Sequence, residues 1–198
     1  GRKGIHLMGH SWGCMVAVDY LISRKRDVNS VILSSPMLSV SRWKRDAEEL
    51  RKKLGQKDQD ILKNHEMNGT TNSLEYKLAE KEYVKKFVYR LSTKGKNQRI
   101  GETFFNSEIY NFMWGPSEFF PTGNLKNYER IESLYKIKHP VLVSCGKHDE
   151  ATPLSCREYA ESLPFSFFKT FPKSSHSALH EETKLYLKTI SNYIKKFD

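Results

Sequence analysis

The segment Gly9-His10-Ser11-Trp12-Gly13 constrains this chain more than any other. It lies between an apolar run, Ile5 to Met8, and a helix-like run, Cys14 to Leu21, with Trp12 to Ser23 reading as the helix behind it. A G-x-S-x-G pattern in that setting forces a strand to turn sharply into a helix. The turn lifts the serine hydroxyl clear of the backbone at the end of the strand, where a histidine can reach it. Strand and helix approach closely there, so small residues two before and two after the serine relieve the crowding. The plain alternative is an ordinary strand-to-helix turn; the flanking strand and helix patterns favour the elbow.

The rest of the chain follows the same grammar, with one interruption. Val31 to Leu33 reads as a second short strand, ended by Ser34-Ser35-Pro36. From Val40 to about Lys138 the sequence becomes highly charged, with helical periodicity. Ser41 to Leu54 predicts a helix. Asn72 with Glu75 predicts a capping box ahead of a helix reaching about Leu91, with Leu74, Leu78, Val84, Phe87, Val88 and Leu91 as its apolar stripe. Lys94 to Arg99 reads as a polar loop. Strand character returns at Pro140 to Ser144, where Val141, Leu142 and Val143 suit a buried parallel strand. A helix over Pro153 to Leu163, a strand over Ser166 to Phe171 and an amphipathic helix over Ala178 to Phe197 complete the chain. The pattern β-α-β, insertion, β-α-β-α predicts a parallel α/β sheet. Residues 1–39 and 139–198 would form the partial core, and residues 40–138 a helical cap over the strand ends, where open sheets of this kind bind ligands.

Composition narrows the partners. The net charge is +10, from 33 Lys and Arg against 23 Asp and Glu. A nucleic-acid groove would focus that charge on one face. Here it is spread through Arg51 to Lys53, Lys85-Lys86, Lys94 to Lys96 and Lys195-Lys196, which reads as a solvated surface, so no nucleic-acid partner is expected. No apolar run approaches a membrane span, and no membrane partner is expected. Cys14, Cys145 and Cys156 are odd in number and lack metal spacing. They read as buried free thiols in a reducing compartment, which favours a cytoplasmic location.

Ser11 needs a base to take its proton, and the base needs an acid to fix its tautomer. Asp149 follows the Val141 to Ser144 strand, and His176 follows the Ser166 to Phe171 strand. Both therefore fall on loops at the same sheet edge as the elbow. Taken singly, Asp149 is equally a turn or capping carboxylate and His176 a surface histidine; their order behind the elbow is what favours a triad. His148 and His180 are competitors placed less well, and His10 is expected to pack beside the site. The histidines are dispersed, so no metal or organic cofactor is expected.

The elbow, the segment Gly115-Pro116-Ser117-Glu118-Phe119 followed by Thr122-Gly123-Asn124-Leu125, and the loop Asp149-Glu150-Ala151-Thr152-Pro153 together resemble the proline iminopeptidases of the α/β-hydrolase superfamily. The likeness runs from the elbow to the closing helix. The elbow is shared with many hydrolases, and the Gly-Pro-x-Glu-Phe segment is the more specific part. The resemblance implies a serine peptidase that releases an N-terminal residue, preferably proline, from small peptides through an acyl-enzyme. Ser11, Asp149 and His176 would match nucleophile, acid and base, and the Trp12 N–H the oxyanion hole. Glu118 and Glu150 would match the two carboxylates that receive the substrate's free amine, a role that charge-assisted hydrogen bonds suit physically. Otherwise Glu118 is a surface charge and Glu150 an acid at a helix N-terminus. Phe104, Phe105, Tyr110, Phe112, Trp114, Phe119 and Phe120 would wall an apolar pocket or form the cap's own core, with Tyr110 and Trp114 the candidates for substrate contact.

The sequence departs from the family in two places. Cys14 stands where many relatives carry a second glycine. Nothing like the family's glycine-rich oxyanion loop, and no strand to carry it, precedes the elbow, so the chain reads as the carboxyl-terminal part of a longer enzyme. Two other functions fit the same residues. One is a capped esterase or lipase with the same triad. The other is an inactive fragment that serves as an interaction module.

Overall fold

Four parallel strands in the order β1-β2-β3-β4 organise the computed structural model, which describes residues 4–23, 28–91 and 105–198. They are β1 (Ile5–His10), β2 (Val28–Ser34), β3 (Val141–Gly146) and β4 (Ser166–Phe171). Helix α1 (Trp12–Ser23) follows the elbow and packs on β1. Helix α6 (Pro153–Glu161) links β3 to β4, capped by the Thr152 side chain with Pro153 in its first turn, where a missing N–H costs nothing.

The alternation along the inner strands explains why both sheet faces are covered. Val31 and Leu33 of β2, with Val141, Val143 and Cys145 of β3, join α1 and α6 in one core cluster. Ile32 and Leu142 point the other way, into a cluster with Phe171 and with Tyr186, Ile190 and Tyr193 of the last helix. Side chains alternate across a strand, so an unbroken apolar run such as Val31-Ile32-Leu33 supplies two faces at once. On β1, Ile5 and Met8 are exposed.

Between β2 and β3 the described chain is helical: α2 (Val40–Arg51), α3 (Gln56–Met67), α4 (Leu74–Phe87), α5 (Ser107–Met113) and a 3-10 turn over Ile131–Lys136. These helices hold a core cluster of their own. It joins Ala47 and Leu50 of α2, Leu62 of α3, Tyr76, Ala79, Tyr83 and Phe87 of α4, and Phe119.

Several sequence expectations need correction. Helix α4 is capped by the Ser73 side chain on the Tyr76 N–H, not by Asn72 with Glu75. Its buried face is Tyr76, Ala79, Tyr83 and Phe87, whereas Leu74, Leu78 and Leu91 are exposed. Apolar residues occur on both sides of this helix, and packing selected the aromatic side. The closing helix is two helices, α7 (Ala178–Glu181) and α8 (Thr183–Ile194). They are separated at Glu182, whose carboxylate accepts from the Lys173 N–H and the Ser174 hydroxyl. Helices α3 and α5 carried no distinct sequence signal. The Lys94 to Arg99 loop and Phe104 lie outside the described residues.

The two elbow glycines are not equivalent. A Cβ on Gly9 would lie 2.6 Å from the Gly13 carbonyl oxygen, while one on Gly13 would meet nothing within 4 Å. Crowding between strand and helix therefore falls on Gly9 alone. Gly9→Ala is expected to destabilise by about 1–3 kcal/mol through forced backbone movement. Gly13→Ala, inside α1, is expected to stabilise by about 0.5–1 kcal/mol. Paired urea denaturation curves check both; equal effects of the two substitutions would contradict this account.

Candidate active site

Each strand ends in a residue of the site. Ser11 follows β1, Ser35 follows β2, Asp149 lies just past β3 and His176 just past β4, so all four gather at the carboxyl edge of the sheet. Ser11 has φ +51, a left-handed conformation that side chains adopt rarely and that recurs at functional turns. Its N–H donates to the Ser34 carbonyl at 3.0 Å, tying the elbow to β2. Trp12 and Gly13 open α1, so their N–H groups stand at a helix N-terminus beside the serine.

Asp149 and His176 are paired, with 2.8 Å between Asp149 Oδ1 and His176 Nδ1. Asp149 is held as a buried acceptor. The Ala151 N–H donates to Oδ1 at 2.8 Å, and the Gly146 N–H (3.1 Å) and Ser35 hydroxyl (2.7 Å) donate to Oδ2. Ser35 also has a positive φ, +49, and its hydroxyl lies 3.3 Å from the His176 carbonyl. It braces both acid and base. In the sequence Ser35 marks only the end of a strand, because neither its backbone conformation nor its distant partner leaves a local signal. The strands also need Gly146, where a Cβ would lie 2.3 Å from the Ser174 carbonyl.

His176 is buried. Desolvation pushes its pKa down, but the charge and hydrogen bond of Asp149, with Glu118 and Glu181 adding, leave it above the ordinary histidine value. His10 packs against it with ring centroids 4.9 Å apart, and His10 Nε2 lies 3.0 Å from the His176 carbonyl. Burial and the neighbouring imidazole hold His10 below the ordinary value. Among the described residues Ser11 Oγ and His176 form no hydrogen bond. Such contacts often tighten only when substrate binds.

Two histidine pairs, His6 with His10 and His176 with His180, have a spacing of four that would suit a metal on one helix face. Neither is helical in that way. His6 and His10 lie on β1, and His176 precedes α7 with its N–H bonded to the Phe87 carbonyl. His6 is engaged with Ser30 and Asp198.

Ser11 opens into a cavity of about 500 Å³ lined chiefly by Trp12, Met37, Trp43, Ile109, Tyr110, Met113, Trp114, Leu125 and Glu118. Tyr110 and Trp114 thus face the same space as the serine. Of the other aromatics, Phe105 reaches the lining, Phe119 packs in the helical cluster and Phe112 is exposed. Glu118 is fixed from behind. The Trp43 and Trp114 indole N–H groups donate to its carbonyl at 2.7 and 3.1 Å. Gly115, with φ +147, lets the preceding chain pass where a Cβ would lie 2.4 Å from the Phe120 carbonyl.

Glu150 is the most unusual group in the molecule. It is 2% exposed, and neither carboxylate oxygen has a hydrogen-bond partner among the described residues. Its Oε1 lies 4.0 Å from His176 Nδ1. Desolvation, then the charges of Glu118 and Asp149, raise its pKa well above the carboxylate range. Desolvation raises Glu118 as well. The Tyr83 hydroxyl faces Glu150 and the Tyr110 hydroxyl faces Glu118, each near enough to act on the acid but without a hydrogen bond of good geometry. Tyr83 was not singled out from sequence, where a tyrosine on a helix reads as packing.

This arrangement can be set beside known proteins. The alpha/beta hydrolase fold family matches residues 1–183. A proline iminopeptidase of Heyndrickxia coagulans is 40% identical over 191 residues, covering 96% of this chain and 66% of that one. The chain belongs to the proline iminopeptidase family of α/β-hydrolases. A crystal structure of proline iminopeptidase from Mycobacterium smegmatis superposes with a TM-score of 0.86 at 26% identity, over 98% of this chain and 66% of that one. The crystal structure of VinJ gives a TM-score of 0.91, also at 26% identity, over 99% and 67%. The chain therefore spans about two thirds of the length of each of these proteins. Among the described residues no helix is long and apolar enough to cross a membrane.

Proposed function

We propose that this chain carries the catalytic residues of a prolyl aminopeptidase acting on small peptides with a free N-terminal amine. Ser11 attacks the first carbonyl, His176 takes the serine proton and returns it to the leaving amine, and Asp149 orients His176. Water then hydrolyses the acyl-enzyme with the same base. The Trp12 N–H stabilises the oxyanion. Residues 40–138 act as a helical cap that supplies Glu118 and the apolar wall, including Tyr110 and Trp114. The three buried free cysteines suit a reducing, cytoplasmic setting.

The observation that carries this reading is the unpartnered carboxylate of Glu150 beside Glu118 and His176. A buried acid without donors is costly, and a cationic amine placed between Glu150 and Glu118 relieves it. The apolar wall beside Glu118 suits a proline ring, and an acylated substrate would leave Glu150 unsatisfied.

The test is the rate on prolyl-naphthylamide and on its N-acetylated form, followed against pH. The free-amine substrate should be cleaved and the acetylated one should not. His176 must be neutral to act as base, and its pKa lies above the ordinary 6.5. The acid limb of kcat/KM should accordingly have its midpoint above that value. Activity should fall again as the substrate's α-amine loses its proton, near about pH 8. Equal rates on both substrates would remove Glu118 and Glu150 from amine recognition and favour an esterase.

A further inference from the structure

The loop that presents His176 is bolted to the exit of helix α4 through two acceptors. The Phe87 carbonyl, at the last residue of α4, accepts from the His176 N–H at 3.1 Å and from the Glu150 N–H at 3.2 Å. One backbone oxygen thus touches both the histidine loop and the acid loop. The second acceptor is the Glu181 carboxylate on α7. It accepts from the Arg90 N–H, three residues past α4, and from both the N–H and the hydroxyl of Ser175, with 2.8 and 3.0 Å to the hydroxyl. Ser175 is fully buried, so its two donors have no water to turn to.

We infer that Glu181 is a positioning residue, which locks the Ser175-His176 segment against the exit of helix α4 so that the imidazole is correctly placed only when the inserted helices are seated. Glu181 touches neither the cavity nor the reacting atoms. It acts through the Ser175 backbone, one residue before His176, while the Phe87 carbonyl holds His176 itself. The same α4 presents Tyr83 to Glu150, so seating of one helix sets the base loop and the acid loop together. The inference rests on His176 being the base.

A position effect and a charge effect are both expected, and they can be separated. The ionisable groups around His176 are Asp149, Glu118, Glu150, His10 and Glu181, and those around Glu181 include His148. Glu181 favours the protonated form of His176, so its loss should lower the pH midpoint of that ring.

The test compares wild type, Glu181→Ala and Glu181→Gln in the intact protein, by NMR titration of isotope-labelled histidine and by the rate at which a fluorophosphonate labels Ser11. In both variants the His176 midpoint should move to lower pH, because both lose the charge. Labelling of Glu181→Ala should slow by about a hundredfold, the scale of an ångström misplacement of a reacting group. Glu181→Gln keeps one acceptor oxygen, enough for the Ser175 N–H and hydroxyl but not also for the Arg90 N–H, and should recover part of the rate while its midpoint stays low. If Glu181→Ala does not fold, Glu181→Gln with Ser175→Ala, which removes the hydroxyl leg, carries the comparison. An unchanged midpoint and labelling rate, or a change in thermal stability alone, overturns the inference. A wild-type protein that no fluorophosphonate labels would instead sink the serine-hydrolase reading, and the histidine titration would still decide the role of Glu181.

Discussion

Ser11→Ala is expected to abolish turnover, lowering kcat on the order of a millionfold, the scale of losing the nucleophile from a serine hydrolase. The hydroxyl contributes no hydrogen bond to the fold among the described residues. Its backbone is fixed by the Ser11 N–H on Ser34 and by the Cys14 N–H on the Ser11 carbonyl. The alanine variant should thus denature like wild type. Ser11→Gly separates chemistry from strain. It should be equally inactive yet more stable by about 1 kcal/mol, because φ +51 costs an L-residue roughly that much and glycine nothing. Active-site titration with a fluorophosphonate and thermal denaturation of the three proteins check both halves. Activity of Ser11→Ala within tenfold of wild type would place the nucleophile elsewhere.

Glu150→Leu is expected to gain stability and lose discrimination. Removing a buried acid with no donors should stabilise the fold by about 1–3 kcal/mol, since an apolar side chain bears no desolvation cost. The same change should reduce kcat/KM for a prolyl amide on the order of a hundredfold, the effect of deleting one partner of a buried charge pair. The penalty against N-acetylated substrate should shrink with it. The backbone there is unaffected, because its N–H is held by the Phe87 carbonyl. The sign of the stability change decides the matter. A variant less stable than wild type, with discrimination intact, would make Glu150 a structural acid whose partner the geometry does not reveal.

The parts of this molecule legible in the sequence are those where one local pattern has one outcome. The elbow, the buried run Val141-Leu142-Val143 and the helix starting at Pro153 each form where the local pattern places them, although that helix ends at Glu161 rather than Leu163. Helix α4 was harder because Leu74 and Leu78 on one side and Tyr76 and Tyr83 on the other both offer an apolar face. Only the neighbours in α2 and α3 decide between them. The break at Glu182 depends on donors from Lys173 and Ser174, which helical periodicity ignores. In the candidate site, the meeting of Asp149 and His176 is legible from their order behind the elbow. Ser35, Tyr83 and the Phe87 carbonyl are not, because their partners lie dozens of residues away, and Glu181 is not, because no periodicity ties it to Ser175 six residues before it.

The pairing of Val31 with Val141 has a consequence for how the molecule comes into being. Strands β1 and β2 can meet early across α1, and β3 and β4 across α6, since each pair is near in the chain. Joining the two halves must close a loop of more than a hundred residues, the slow and entropically expensive event in assembly. Ser11 rides on the first half, Asp149 and His176 on the second. On the proposed mechanism, a refolding chain therefore brings Ser11 to Asp149 and His176 last, at the docking of two units that each hold only part of the triad.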